Sequence, residues 1–429
     1  MKVDNSPPRG TRDLLPATVA VRDHVLGKIT QVYHRYGYQR IDTPCLEDIN
    51  RLTGGQGGEN EKLIFQVLRR GLGDQVEAGA RLADLVDLGL RFDLTVPLTR
   101  FYGNNHAALS LPFRSLQFGA VWRAERPQQG RYRQFSQCDI DLIGEESVLA
   151  EVELIEATTE ALAAVGLPGT TVRLSDRRLL AALAQAAGLP QEAWDGFFIS
   201  LDKLDKIGWD GVRAELLNLR EIPPEAVTSA TDRIENLRGL DASKLADAIT
   251  AVVPGVDEQI ITDLVTTTRC LDLISGAREL QWEFDPTLVR GMGYYTGQIF
   301  EVTHPKSSSS VAGGGRYDKL IGSSLGKDVP ACGFSIGFER IVDLLDERPR
   351  REAVVVLHDS DVPVADALGL ARELRSNGRT VSVIRRRGKF GAQLARLESW
   401  GFTSFVHLQS DHDPHTPPEA RTLGQQPQP

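Results

Sequence analysis

Apolar residues at helical spacing (Val19, Val25, Ile29 and Val32 or Tyr33) predict a helix over residues 17 to about 36. The following segment, YGYQRIDTPCLED, turns extended, and Pro44 ends it. Residues 62–143 read mainly as strands, interrupted by a helix within RFDLTVPLTRFYG that Asp93 is placed to cap. Inside that stretch Phe118, Ala120 and Trp122 alternate onto one face, Pro127 and Gly130 break the run into a loop, and strand character then resumes. Residues 147–165 are rich in Glu, Ala and Leu and predict a helix.

The pattern then changes. Residues 175–278 are Leu-, Ala- and Asp-rich with little strand character and read as a helical insertion. Ser175 is the expected N-cap of its first helix, with Leu179, Leu180 and Leu183 on one face and Gly188 as the stop. Strand character returns with TGQIFEV and PACGFSIGF, and the charged, proline-containing ERPRRE (347–352) reads as a linker. Beyond it, AVVVL, a helix from Val364 to about Asn377 stopped by Gly378, TVSVI, a second helix and SFVHL predict a small α/β unit with a parallel sheet. The polar, Pro-rich residues 409–429 are expected to be disordered. The resulting domains are 1–174, 175–278, 279–346 and 353–408, with the first and third forming one β-rich unit.

Composition narrows this picture only a little. At 429 residues the chain calls for two or three domains, and 41% hydrophobic with 25% charged residues is ordinary for a globular protein. No apolar run is long enough to span a membrane, and MKVDNSPPRG lacks the apolar core of a secretory signal. Cys45, Cys138, Cys270 and Cys332 are scattered singly, so a reduced, cytoplasmic protein without structural zinc is expected. A net charge of -9 argues against a protein that coats nucleic acid, but not against one that meets a folded RNA through a local basic face.

Candidate chemistry concentrates in two stretches, FGAVWRAERPQQGRYRQF (118–135) and RGMGYYTGQIFE (290–301). Arg123, Arg126, Arg131 and Arg133 crowd one hairpin, and guanidinium groups suit forked recognition of phosphate. The hairpin therefore reads as a nucleotide grip, with a solvated charged turn as the competing reading. GGGRYD (313–318) either brings backbone close to a ligand or forms a turn, without the lysine of a phosphate-binding loop. In GFSIGFER (333–340) a strand enters a helix whose first turn carries Glu339 and Arg340; an arginine there opposes the dipole and hints at an anionic partner. Asp93 is a cap or a ligand, and Asp139 and Asp141 share a strand face with Gln137 and need partners if buried.

Taken in order, these motifs resemble the histidine–tRNA ligases, a branch of the class II aminoacyl-tRNA synthetases. RYGYQRIDTPCLED is similar to the family's dimer-forming first motif, WRAERPQQGRYRQFSQCDIDLIG to its second and GFSIGFERI to its third, while RGMGYYTGQIFE and AGGGRYDKL mark the histidine branch. The resemblance runs from PPRGTRDLLP to about Leu345 and is weaker over 353–408. It implies an α+β catalytic domain with a mainly antiparallel sheet flanked by helices, a helical insertion and a C-terminal anticodon-binding-like α/β domain. It also implies a cytoplasmic homodimer that joins L-histidine to ATP as histidyl-adenylate, releases pyrophosphate and passes histidine to the 3′ end of tRNA(His), with Mg²⁺ accompanying ATP and no membrane partner.

By that resemblance Arg123 and Arg290 grip the α-phosphate and the substrate carboxylate from two sides and are the catalytic pair. Glu125, Arg131, Phe135 and Arg340 join Arg123 at ATP. Glu125 reads the adenine amino edge, Phe135 stacks on one face, and Arg340 covers the other and reaches the γ-phosphate with Arg131. Asp93, Thr95 and Gln137 take the histidine ammonium, Asp141 accepts from the imidazole, and Tyr294 and Tyr295 complete that pocket. Gln128 is placed for the tRNA acceptor end. Arg385, Arg386, Arg387 and Lys389 face the anticodon or form a solvated basic turn. No protein ligand for a metal is assigned.

Two departures stand out: Gly293 occupies a position where the branch usually has Asp, and the C-terminal domain looks short after SFVHL. Two other readings remain beside the ligase. One is a non-catalytic paralogue acting as the histidine-sensing regulatory subunit of ATP phosphoribosyltransferase; the other is an RNA-binding module on an inactive synthetase fold.

Overall fold

The computed structural model describes residues 4–54, 60–72, 79–127, 132–277, 280–289, 294–345, 352–411 and 418–424. Contacts divide the chain into one unit of residues 1–13 and 25–345 and another of 14–24 and 346–429. No helix among the described residues is long and apolar enough to cross a membrane.

The larger unit is built on an eight-stranded sheet. Across it lie Gln39–Arg40, Phe113–Trp122, Gln134–Ile143, Ala331–Ile336, Ala312–Arg316, Gln298–Thr303, Thr171–Asp176 and Gln281–Phe284. The outermost pair at each edge is parallel and every pairing between is antiparallel, so a mixed, mainly antiparallel sheet results. The helix Leu149–Ala164 lies against the Ala331–Ile336 strand and buries Ala150, Leu154, Ile155, Ala157, Ala161 and Leu162. The opening helix, Pro16–Arg35, buries Val25, Ile29, Val32 and Tyr33 as its spacing predicts, together with Val21. Val19 is exposed instead, because two residues back from Val21 lies on nearly the opposite side of a helix with 3.6 residues per turn.

The glycine run of GGGRYD is no turn. Ala312–Arg316 is a fully buried strand at the centre of the sheet. Its Arg316 reaches Glu151 on the covering helix through two parallel bonds of 2.7 Å and donates to the Ser147 and Glu145 carbonyls as well. Both side chains are nearly excluded from solvent. Burial alone would disfavour both charges; the forked pairing holds the arginine firmly protonated.

The expected insertion appears as the helices Arg177–Ala186, Trp194–Leu201, Leu204–Asn218, Pro224–Glu235, Ala242–Val252 and Glu258–Ala277. Its first helix is capped by Asp176, whose carboxylate accepts from the Arg178 N–H at 2.8 Å, and not by Ser175. Ser175 is still paired within the strand that runs to Asp176, so the side chain one residue later meets the first free amides.

In the smaller unit Ala353–His358 lies between Thr380–Arg385 and Ser404–Leu408, parallel to both, with Val364–Ser376 and Phe390–Ser399 as connecting helices. Alternate residues face opposite sides: Val354 and Val356 enter one apolar cluster, Val355 and Leu357 another. Within residues 409–429, expected to be disordered throughout, Arg421–Thr422 pair antiparallel with the Ser404–Leu408 strand, and Leu423 packs into the second cluster. A two-residue strand carries too little apolar pattern to be seen in the sequence.

Arg316→Ala leaves the Glu151 carboxylate buried and unpaired, so a stability loss of about 3–5 kcal/mol is expected from urea unfolding midpoints. A loss below about 1 kcal/mol would show that water or another group replaces the arginine.

Candidate active site

The period-two rule of a strand delivers the site. Phe135, Gln137, Asp139 and Asp141 leave the Gln134–Ile143 strand on one face, where Gly333 sits opposite Asp141 and Ser335 opposite Asp139. A cavity of about 340 Å³ lies over that face. Asp93 and Thr95, at the start of the Thr95–Asn105 helix, line it with Tyr294, Tyr295 and Tyr317 and with Arg123, Glu125 and Arg340.

Three carboxylates are sunk in this wall. Asp93, Asp139 and Asp141 are each at most 5% exposed. Asp93 is cap and wall at once: its Oδ1 accepts from the Val96 N–H at 3.0 Å, while Oδ2 has no partner. Asp141 Oδ1 accepts from the Tyr317 hydroxyl at 2.6 Å and its Oδ2 is likewise unpaired. Gly333 makes room for this carboxylate, since a Cβ there would lie 2.1 Å from Asp141 Oδ1. Gln137 donates from Nε2 to Ser335 Oγ at 3.1 Å and leaves Oε1 without a donor. Asp139 Oδ1 is unpaired as well.

Burial pushes all three acids up from the ordinary carboxylate range. Asp141 rises to about 7, with the Tyr317 hydrogen bond holding it down and the charge of Asp93 adding to the rise. Asp139 is pushed well up by burial and by its two acidic neighbours, against the pull of the Ser335 hydroxyl and Arg123. Unpaired buried acceptors and reluctant carboxylates together mark a part of the cavity where further donors and positive charge would be favourable, beyond what the Val96 amide and Arg123 already supply.

The opposite character appears at the hairpin. Arg123 donates from Nε to the Phe92 carbonyl at 3.0 Å, which fixes its direction, and its guanidinium lies 5.1 Å from the Phe135 ring centroid. Arg340 bonds the Ser310 carbonyl across the cavity. The candidate residues Asp93, Thr95, Arg123, Glu125, Phe135, Gln137, Asp141, Tyr294, Tyr295 and Arg340 all line this one cavity. Arg290, Arg131 and Gln128, with Gly293, lie outside the described residues. Tyr132, Ser136, Tyr317, Ser335 and Glu339 line it too without having been singled out as binding residues, and Asp139 had been noted only as a carboxylate in need of a partner. Asp139 was the legible one, lying two positions from Gln137 and from Asp141. Among the described residues no three His, Cys, Asp or Glu side chains are grouped to hold a metal ion.

An eight-stranded, mainly antiparallel sheet with this cavity on one face is that of a class II aminoacyl-tRNA synthetase catalytic domain. A family model described as histidyl-tRNA synthetase matches residues 10–341. The chain is 49% identical over 414 residues to the histidine–tRNA ligase of Leifsonia xyli subsp. xyli, covering 95% of this chain and 96% of that one. It is 40% identical over 430 residues to the probable histidine–tRNA ligase of Tropheryma whipplei (strain Twist), covering 96% and 97%. The crystal structure of histidyl-tRNA synthetase from Nostoc sp. PCC 7120 superposes with a TM-score of 0.79 at 25% identity, over 96% of this chain and 93% of that one. A Bacillus halodurans C structure described as an ATP phosphoribosyltransferase regulatory subunit/histidyl-tRNA synthetase shares the fold, with a TM-score of 0.78 at 23% identity. The chain belongs to the histidyl-tRNA synthetase family.

The raised acids carry a pH signature. The folded protein holds a proton on Asp141 up to about pH 7, whereas the unfolded chain releases it near 3.8, so the folded state binds more protons in between. Stability of the ligand-free protein should therefore fall as pH rises through that window. Asp141→Asn, which does not ionise, should reduce the difference between the unfolding free energies measured in urea at the two ends by more than about 1 kcal/mol. An unchanged difference would place the proton elsewhere.

Proposed function

We propose that this chain activates L-histidine with ATP, forming histidyl-adenylate and pyrophosphate, and transfers histidine to the 3′ end of tRNA(His). The observation that carries the reading is one cavity that holds both buried acceptors without donors and a directed guanidinium. Free histidine carries the matching groups, ammonium and imidazole N–H donors together with a carboxylate.

In this reading Asp93, Thr95 and Gln137 receive the ammonium and Asp141, held by Tyr317, accepts from the imidazole, with Tyr294 and Tyr295 around the ring. A side chain without that N–H would leave the Asp141 oxygen stranded, the stronger form of discrimination. The carboxylate then points to Arg123, where it must approach the α-phosphate. Both groups are anionic, and a guanidinium already fixed by the Phe92 carbonyl screens them without reorganising water. Arg290 would act from the other side of the phosphate. No general base is required, because the attacking carboxylate is ionised at neutral pH.

Phe135 and Arg340 would face the adenine from two sides, Glu125 its amino edge, and Arg131 the γ-phosphate. Mg²⁺ would enter with ATP as part of the nucleotide substrate, held by phosphate oxygens. Gln128 would meet the tRNA acceptor end, and Arg385, Arg386, Arg387 and Lys389 the anticodon. A cytoplasmic homodimer is the assembly proposed.

The test is ATP–pyrophosphate exchange without tRNA. Exchange should require L-histidine, and Arg123→Ala should lower kcat/KM by about a hundredfold or more. Exchange that proceeds equally without histidine would overturn the reading; histidine binding without any exchange would favour the regulatory paralogue.

A further inference from the structure

The cavity wall beside Phe135 and Arg340 includes Tyr132, Ser136 and Glu339; Tyr132 and Glu339 are bonded to Arg12 near the start of the chain, and Ser136 to Glu339. Residues 8–12 make a tight turn in which the Thr11 N–H and hydroxyl both donate to the Pro8 carbonyl, at 2.9 and 2.7 Å. Gly10 adopts φ +84°, a left-handed conformation that suits glycine, and a Cβ there would lie 2.7 Å from Arg133 Cγ. The turn is therefore pressed onto the returning side of the hairpin, where the Arg133 N–H donates to the Gly10 carbonyl at 2.7 Å.

Arg12 follows directly. Its guanidinium lies 3.9 Å from the Tyr132 ring centroid, Nη1 donates to the Tyr132 hydroxyl at 3.0 Å, and Nη2 pairs with Glu339 Oε2. The other oxygen of Glu339 accepts from the Ser136 N–H at 3.0 Å. One guanidinium thus clasps the chain's first segment, the hairpin's returning side and the start of the Phe338–Leu344 helix. The residues next to the clasped atoms are Phe135 and Arg340. Arg12 keeps 31% of its side chain exposed, and ion pairs at such a rim contribute little to stability. Their stronger effect here is geometric.

We propose that Arg12 is a positioning residue for the nucleotide, holding Glu339 and through it the Ser136 backbone so that Phe135 and Arg340 stand correctly on the two faces of the adenine. The proposal rests on the ATP site described above and assigns the first segment of the chain to it. Arg12 touches no reacting atom; it acts through Glu339 and Tyr132.

The experiment is ATP–pyrophosphate exchange with Arg12→Ala, Arg12→Lys, Glu339→Gln and the double variant Arg12→Ala/Glu339→Gln, each with its thermal midpoint. Arg12→Ala should raise KM for ATP by about tenfold or more while KM for histidine stays within about twofold. Arg12→Lys should recover part of the loss, and the double variant should be no worse than the poorer single one, as residues acting through one contact require. Unchanged KM for ATP in folded Arg12→Ala, or KM values for ATP and histidine rising together, would overturn the proposal. So would a lowered midpoint with both KM values unchanged, which would make the contact one of stability alone. If Arg12→Ala does not fold, Arg12→Lys decides by the same split. A wild-type enzyme without histidine-dependent exchange would instead remove the underlying reading.

Discussion

Three carboxylates held out of water beside one another constrain the rest of the catalytic unit. Asp93, Asp139 and Asp141 come from a helix start and one strand, and burial raises the proton affinity of each. Such a group is costly for the folded chain, and the protein's own donors and Arg123 offset only part of that cost. The surrounding fold supports it at specific points: the Tyr317 hydroxyl on Asp141, the Val96 amide on Asp93, and the absence of a side chain at Gly333. The Arg316–Glu151 pair ties the buried central strand to its covering helix and so keeps the wall in place.

The sheet also explains how opposite chemistries come to share one small cavity. Successive outward residues on a strand are two positions apart, so a single run from Phe135 to Asp141 passes from the hairpin's arginine end to the acidic end. Arg123 directly follows the opposite arm of that hairpin, Phe113–Trp122, and is aimed by the Phe92 carbonyl, one residue before Asp93. Both ends of the site are therefore positioned by neighbouring backbone. In the proposed reaction this fixes where the carboxylate of the bound amino acid lies relative to Arg123 and ATP.

Much of this was legible in the sequence because it is local. Alternation in 118–122 and 135–141 and the helix from Val364 stopped by Gly378 are signals within a few residues, and the structure has elements there. The candidate residues that line the cavity are legible through the resemblance of their motifs to a known family, and only Gln137, Asp139 and Asp141 through local spacing. What stayed hidden depends on distant partners. The glycine run at 313–315 reads either as a close backbone approach to a ligand or as a turn; it is no turn but pairs on both sides as a central strand, with Gly313 lining the cavity. Ser175 resembled a cap until the strand extended past it to Asp176. An arginine in the first turn of the Phe338–Leu344 helix looked unfavourable by itself; the adjacent Glu339 and its partner Arg12, 327 positions away, could not be inferred from spacing. The strand at Arg421–Thr422 is simply too short to leave a pattern.

The most direct measurement of the acidic end is the thermal midpoint of the ligand-free protein with L-histidine, with histidinol and with imidazolepropionate, all without ATP. Histidinol keeps the ammonium and the ring and lacks the carboxylate; imidazolepropionate keeps the ring and carboxylate and lacks the ammonium. If the buried carboxylates are the groups that await a ligand, L-histidine and histidinol raise the midpoint and imidazolepropionate does not. A rise with imidazolepropionate equal to that with histidinol would contradict the claim.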